Sequence, residues 1–215
     1  MAFLAFIREL FLNLLFPPYC AGCQKLGTYL CPNCYEQIHF FTLPVKIKLD
    51  PSYLDHVISV GNYQEPLSSL IHMYKYKGVK AIGPVLARMV YHTTAVPIVD
   101  CVTFVPLHKK RLAERDFNQS QLVAAELARL MKVPCQDLLQ RTRYTTTQAS
   151  ITDRSQRLVH LQDAFVVTEE IDPLPTNVLL IDDVTTTGTT LNECAKILKA
   201  AGVKKVIGLT LAHGS

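Results

Sequence analysis

The stretch Val178–Thr190, which reads VLLIDDVTTTGTT, carries the clearest signals of the fold and the chemistry of this chain. Its apolar start predicts a short buried strand over Asn177–Ile181, followed at once by the acidic pair Asp182–Asp183. The residues after the loop predict a helix over Thr190–Ala201, which the next glycine ends. A buried strand that leads through a polar loop into a helix is typical of α/β proteins with a parallel sheet.

The polar part of this stretch combines two carboxylates with a hydroxyl-rich loop. Backbone N–H groups of such a loop, together with a helix N-terminus, form a cradle for a phosphate, and Gly188 allows close approach of the backbone. The hydroxyls of Thr187 and Thr190 are further donors. Asp182 and Asp183 would repel a phosphate, but they accept hydrogen bonds from sugar hydroxyls or balance a divalent cation. The pattern predicts a ribose 5-phosphate site; the alternative is a solvated turn whose threonines cap the helix.

Outward from this loop, hydrophobic periodicity predicts further strands and helices in alternation. The predicted strands are His56–Tyr63, Cys101–Val105 and Val203–Ala212, and the predicted helices are Pro66–Tyr76, Lys80–Tyr91 and Ser120–Met131. Strands that alternate with helices predict an α/β fold, a mostly parallel sheet covered by flanking helices. We assign this domain to residues 51–215.

Four cysteines near the N-terminus fall into two CxxC pairs, Cys20–Cys23 and Cys31–Cys34, separated by seven residues. Four thiolates that converge in this way form a closed tetrahedral site, so we expect structural Zn²⁺ and no metal catalysis there. The alternative is a redox CxxC, which uses one pair at a helix start and not two in tandem. We assign residues 17–50 to this zinc module and a linker.

The remaining cysteines and the N-terminus bear on the compartment. Cys101, Cys135 and Cys194 stand singly in apolar or helical patterns, so the odd total of seven indicates buried thiols in a reducing, cytoplasmic environment.

Residues 1–16 are strongly apolar but too short to span a bilayer, which takes about 20 residues. They predict a helix that packs on the protein's own core or, alternatively, docks on a membrane surface or a partner.

Positive charge is concentrated in the middle of the chain. Residues 61–168 hold fourteen Lys and Arg against eight Asp and Glu, whereas the two flanks hold eight against ten. This excess suits an anionic ligand, either the pyrophosphate of a small molecule or the backbone of single-stranded DNA with a tyrosine or Phe117 stacking on bases. The alternative is a solvated charged face. The candidate contacts are Lys77, Lys109, Lys110, Arg111, Arg115, Arg141 and Arg143.

The acidic-threonine loop resembles the 5-phosphoribosyl-1-pyrophosphate (PRPP) motif of type I phosphoribosyltransferases, and the chain as a whole resembles the ComF competence family. That family joins a short zinc finger to the phosphoribosyltransferase fold. The resemblance implies that the acidic pair binds the ribose hydroxyls, that the loop binds the 5-phosphate, and that Mg²⁺ accompanies PRPP. The implied PRPP-binding residues are Asp182, Asp183, Thr185, Thr186, Thr187, Gly188, Thr189 and Thr190.

Two further stretches carry the resemblance. The segment Arg115–Gln119 reads RDFNQ where the family usually has RGFNQ, so Asp116 stands in the position of a glycine. The segment Arg141–Phe165 is similar to the family's mobile-loop region. Thr186 occupies the position at which oxopurine phosphoribosyltransferases place an aspartate on the base, which argues against that substrate class.

The resemblance implies a PRPP-binding protein that handles single-stranded DNA during natural transformation, with the competence DNA-uptake machinery as a partner. A peripheral membrane contact through residues 1–16 would suit that role. The alternative is an active phosphoribosyltransferase that releases pyrophosphate from PRPP to an unidentified acceptor.

Overall fold

The computed structural model describes residues 17–45, 49–144, 164–168 and 173–214. The helix predicted over residues 1–16 lies outside these ranges, and so does most of the predicted mobile-loop region. Among the described residues, no helix is both long and apolar enough to cross a membrane.

Four parallel strands form the central sheet. They are β1 (His56–Asn62), β2 (Cys101–Phe104), β5 (Asn177–Thr185) and β6 (Lys205–His213), and their order across the sheet is β1-β6-β5-β2. Two short strands, β3 (Leu139–Arg141) and β4 (Phe165–Val167), form a separate antiparallel pair. The mostly parallel α/β sheet predicted from the sequence is confirmed.

Six helices accompany the strands in the described part of the chain. They are α1 (Pro32–Glu36), α2 (Leu67–Tyr76), α3 (Ile82–Thr93), α4 (Lys109–Arg115), α5 (Gln119–Met131) and α6 (Thr189–Ala200). The short helices α1 and α4 were not predicted, and the ends of the other four helices lie within two residues of the predicted ones. The start of α5 is fixed by Asn118, whose side chain accepts hydrogen bonds from the backbone N–H groups of Ser120 and Gln121.

The core lies on both faces of the sheet. On one face α2, α3 and α5 bury a cluster that includes Leu70, Leu86 and Leu127 against Ile181 and Leu209. On the other face α6 and the β3–β4 pair cover a second cluster built on alternate residues of the same strands. A sheet buried on both faces explains the continuous apolar runs of its strands.

Strand β5 is longer than the sequence pattern predicts. The apolar run ends at Ile181, but hydrogen-bonded pairing with β6 continues through Asp182, opposite Thr210, to Thr185, opposite His213. Because β6 supplies a partner along this whole length, polar residues are held in extended conformation. The acidic pair is therefore part of the strand and not of the loop.

The segment that contains the cysteines packs directly on the sheet domain. Phe40 and Val45 form isolated bridges to Gly61 and Val57 of β1. A Cβ atom added to Gly22 would lie 2.8 Å from the Cβ of Pro66, which precedes α2. The cysteine module thus lies against β1 and the start of α2, near the carboxyl edge of the sheet.

Candidate functional site

The acidic pair lies at the carboxyl end of β5, an inner strand of the sheet. Asp183 forms an ion pair with Lys75 in the last turn of α2, with 2.8 Å between Nζ and Oδ1, and both side chains are only 15% exposed. Helix α2 follows β1, and β6 lies between β1 and β5 in the sheet. The lysine at the end of α2 therefore contacts an acid that lies two strands away and more than a hundred residues along the chain.

Asp182 has different surroundings. Its Oδ1 accepts hydrogen bonds from the backbone N–H of Asp183 at 2.8 Å and, more weakly, from the Ser120 hydroxyl at 3.4 Å. Burial and the neighbouring charge of Asp183 raise the pKa of Asp182 to about 7. The two carboxyl groups therefore differ in their surroundings: Asp183 is paired with Lys75, whereas the pKa of Asp182 is raised toward neutral.

Lys75 compensates the charge of this pair. Burial lowers the pKa of Lys75, but the attraction of Asp183 outweighs it, so the pKa is raised on balance and the ammonium stays charged. Sequence reasoning chose Lys77 from the same helix end. The structure instead places Lys77 against Tyr19, with 3.2 Å between Nζ and the phenol oxygen. An apolar i, i+4 pattern around Lys75 was the signal that its side chain faces inward.

The loop after β5 is short. Gly188 has φ of 74°, a left-handed conformation that favours glycine, and α6 begins at the next residue. The hydroxyls of Thr187 and Thr189 lie 2.8 Å apart and share a hydrogen bond. Thr185 is buried and its carbonyl accepts a hydrogen bond from the Gly214 N–H at 2.8 Å, while Thr186 is exposed. The loop and the first N–H groups of α6 thus follow directly on the end of the strand.

The basic residues after β2 reach the same edge of the sheet. β2 pairs in parallel with β5, and Phe104 lies opposite Ile181, so the chain leaves both strands side by side. Helix α4 then carries Lys109, Lys110 and Arg111 at its start. These cations and the acidic pair therefore share the carboxyl edge, as expected if both strands belong to one sheet.

Asp116 adopts the backbone conformation that its position requires. It ends α4 with φ of 65° in the left-handed region, and its carboxylate pairs with Lys80 at 2.6 Å. Aspartate tolerates this region better than most residues, which explains how the RDFNQ segment keeps a turn that glycine usually makes.

Phe117 is only 7% exposed and packs against Tyr74, with 5.4 Å between ring centroids. It is part of the core, so the suggestion that it stacks on DNA bases is wrong. Its apolar neighbours in α2 could not be known from the local sequence.

Arg141 in β3 lies on the ring of Phe165, with 5.3 Å between its guanidinium carbon and the ring centroid. Burial and the nearby Arg111 lower the pKa of Arg141, while Asp182 opposes this shift. Two predicted cationic contacts, Arg111 and Arg141, and the predicted PRPP-binding residue Asp182 are therefore electrostatic neighbours. Arg143 lies two residues beyond Arg141 and is exposed.

The four predicted metal ligands come together. The Sγ atoms of Cys20, Cys23, Cys31 and Cys34 all lie within 4.8 Å of one another. All but Cys23 are buried, and the Cys31 N–H donates to the sulfur of Cys20 at 3.3 Å. Burial raises the pKa of the Cys20 thiol, but backbone N–H donors outweigh this and lower it to about 6. An all-sulfur set at this spacing, with N–H donors to a thiolate, fits Zn²⁺.

Comparison with known proteins extends this description. Residues 118–214 match the family profile of the phosphoribosyl transferase domain. Over 200 residues the chain is 31% identical to competence protein F of Haemophilus influenzae, which covers 87% of this chain and 86% of that protein. It is 32% identical over 198 residues to the DNA utilization protein YhgH of Escherichia coli K12, with coverage of 87% and 85%. Competence protein ComFC of Streptococcus pneumoniae is 26% identical over 204 residues, with coverage of 90% and 87%.

Proposed function

The chain belongs to the ComF family of competence proteins, and from this premise we propose that it binds PRPP and handles single-stranded DNA in natural transformation. The observation that carries the proposal is the arrangement at the end of β5. A carboxylate pair, a hydroxyl-rich loop and a helix N-terminus follow one another within nine residues at the carboxyl edge of a parallel sheet.

In this proposal each part of PRPP meets a different part of the edge. The ribose hydroxyls donate to Asp182 and Asp183, and the 5-phosphate accepts from the N–H groups and hydroxyls of residues 185–190. The pyrophosphate lies toward the cations at the start of α4 and Arg141. Mg²⁺, which prefers oxygen ligands, would neutralise part of the pyrophosphate charge there.

In this proposal, PRPP binding changes the contact between Lys75 and Asp183. Asp183 accepts from Lys75 in the structure, so a ribose hydroxyl must share or displace that contact. Because the ammonium stays charged at the same edge, it becomes available to an anionic group of the ligand. Lys75 is therefore assigned to the PRPP site together with the acidic pair.

The DNA role is supported by the names of two relatives, competence protein F and DNA utilization protein YhgH, and by the basic middle of the chain. The cysteine module packs beside the carboxyl edge and would hold that edge in shape once zinc is bound.

One observation favours a second function, transfer of the phosphoribosyl group. The cations of α4 lie at the edge where a departing pyrophosphate would need stabilisation. In that reaction a nucleophile forms a bond to C1 of the ribose while the C1–oxygen bond breaks and its electron pair leaves with pyrophosphate. The exposed Thr186 offers no carboxylate to an oxopurine base, so a different acceptor is required.

Two assays separate these functions. Fluorescence anisotropy with a labelled oligothymidylate measures the affinity for single strands with and without PRPP, and a coupled assay measures pyrophosphate release. The DNA-handling proposal expects salt-dependent binding with no release above background. Release that saturates with PRPP in the presence of an acceptor would support the transferase instead, and loss of both signals would reject both functions.

A further inference from the structure

Helix α4 (Lys109–Arg115) has no evident role in the core. It carries four basic side chains and one acidic side chain, and none of its seven residues, all of which the structure describes, is buried. Leu112, the large apolar residue of this helix, is 42% exposed. Because a helix without a buried face gains little from packing, its position at the site edge is not explained by stability.

An exposed tyrosine lies at each end of α4. The Nζ atom of Lys110 lies 5.3 Å from the ring centroid of Tyr144, and the guanidinium carbon of Arg115 lies 5.6 Å from the ring centroid of Tyr76. Tyr76 is 60% exposed and Tyr144 is 45% exposed. Tyrosine rings usually bury most of their area, so two rings held at the surface beside cations indicate a binding surface.

Each ring is also held by a histidine. The His108 ring meets the ring of Tyr144 edge-on at 5.3 Å, and the His72 ring lies 4.8 Å from that of Tyr76. His108 is itself fixed, because its Nδ1 accepts the backbone N–H of Lys110 at the start of α4. The two tyrosines are therefore oriented by their neighbours, which reduces the entropy that a ligand would have to overcome.

We propose that α4, Tyr76 and Tyr144 form a stacking surface for single-stranded nucleic acid, with bases on the two rings and phosphates on the cations of α4. The inference rests on the proposed DNA role and assigns it to particular residues. Aromatic rings bind bases of any sequence by their faces, and interleaved cations follow the backbone. Lys110 and Arg115 are about 7.5 Å apart along the helix axis, so the surface would span a few nucleotides.

The surroundings of α4 suit a polyanion. Asp116, the acid that follows the helix, is neutralised by Lys80 at 2.6 Å. On the far side of Tyr76, Lys77 lies 5.8 Å from the ring centroid of Tyr19, which is 37% exposed. The same pairing of a cation with an exposed tyrosine thus continues from α2 toward the cysteine module.

The test measures the affinity of the full-length, zinc-loaded protein for a labelled oligothymidylate by fluorescence anisotropy. Tyr76→Ala and Tyr144→Ala should each raise Kd by about 5- to 150-fold, the cost of one lost base stack. Tyr76→Phe and Tyr144→Phe keep the ring and should retain the wild-type affinity. Tyr91→Ala is the matched control, because Tyr91 is 40% exposed but lies in the last turn of α3, before the chain enters the amino end of β2.

Two further readouts distinguish stacking from charge. Lys110→Ala and Arg115→Ala should reduce the slope of log Kd against log salt by about one each, whereas the tyrosine variants should leave the slope unchanged. Duplex DNA of the same sequence, whose bases are already stacked, should be insensitive to both tyrosine substitutions. Equal loss of duplex and single-strand binding would overturn the stacking assignment.

The outcome also separates this inference from the proposed function. If wild type binds single strands and the two alanine variants bind equally well, the inference is wrong while the DNA role stands. If wild type binds no single strands, the DNA role fails and takes the inference with it. PRPP binding by calorimetry should be unchanged in both alanine variants, which excludes misfolding as the cause of a lost DNA signal.

Discussion

At the residue scale, the acidic pair places two carboxyl groups next to each other at the end of β5. Asp182 and Asp183 are consecutive and partly buried at the end of β5, and the ammonium group of Lys75 pairs with Asp183. Such an arrangement disfavours full ionisation of the pair, which is why burial and the charge of Asp183 raise the pKa of Asp182 to about 7. A site that keeps this cost in its native state is typical of a binding function.

The first prediction concerns the pH dependence of stability. Between the ordinary value of 3.8 and about 7, native Asp182 binds a proton that the unfolded chain has lost, so the free energy of unfolding falls as pH rises through this window. Asp182→Asn removes this contribution. The variant should match wild type at the acidic end of the window and become more stable than wild type above it. Denaturant unfolding at several pH values measures the difference, and a difference independent of pH would contradict the assignment.

The second prediction concerns the counter-ion. Lys75→Met leaves Asp183 mostly buried without its partner, which should lower the free energy of unfolding at neutral pH by about 3 kcal/mol. Combining it with Asp183→Asn should restore most of the loss, because neither charge then remains unpaired. Urea denaturation of wild type, the two single variants and the double variant gives the free energies of unfolding for a double-mutant cycle. Additive losses would show that Lys75 acts through packing alone.

Particular residues show what the sequence could and could not predict at this scale. The acidic pair was predictable because an apolar run ends directly before it, and apolar runs mark buried strands. The left-handed turn at Asp116 was predictable from its place in the RDFNQ segment. The contact of Lys75 was not, because it depends on how α2 packs against the sheet, and tertiary packing does not follow from local periodicity.

At the element scale, the cysteine module and α2 are linked by close contact. A Cβ atom at Gly22 would lie 2.8 Å from the Cβ of Pro66 and 2.9 Å from the Sγ of Cys34. The module thus contacts the residue that precedes α2, and α2 carries Lys75 at its other end. Zinc binding would therefore support the site through this helix.

The third prediction tests that contact. Gly22→Ala should cost about 1–3 kcal/mol of stability, because the added methyl group forces Pro66 or a metal ligand to move. It should also speed zinc release to a chelator, as Cys20→Ser should do more completely. The control is Lys25→Ala, an exposed residue of the same module. Release of zinc at the wild-type rate from Gly22→Ala would show that the module can shift away from α2 without loss.

The bounds of a helix were predictable where its own sequence contains an amphipathic pattern or a capping residue. Helix α5 shows a clear amphipathic pattern and an Asn cap, and its observed start is one residue from the predicted one. Helix α4 has no apolar stripe, so periodicity could not reveal it. The extra length of β5 depends on its pairing with β6, a contact between segments that are distant in sequence before they fold.

At the scale of the whole molecule, sheet order places the separate motifs on one edge. The order β1-β6-β5-β2 puts β5 next to β2, so the acidic pair and α4 come together although about seventy residues separate them. The alternation of strands and helices in the sequence predicted this α/β architecture. Open sheets of this kind bind ligands at the carboxyl ends of their strands, so the edge itself was also predictable as the binding site. The sequence alone could not predict that α2 and the cysteine module border the same edge.

The fourth prediction is the central one, that this edge binds PRPP. Calorimetric titration of the zinc-loaded protein with PRPP and Mg²⁺ should give saturable binding. Asp182→Asn should weaken it by at least about tenfold, the cost of a lost hydrogen bond to a charged group, without loss of the fold. The matched control is Asp116→Asn, an exposed carboxylate near the same edge that tolerates the left-handed turn as asparagine and should bind like wild type. Absence of heat at millimolar PRPP, or equal affinity in wild type and Asp182→Asn, would contradict the account.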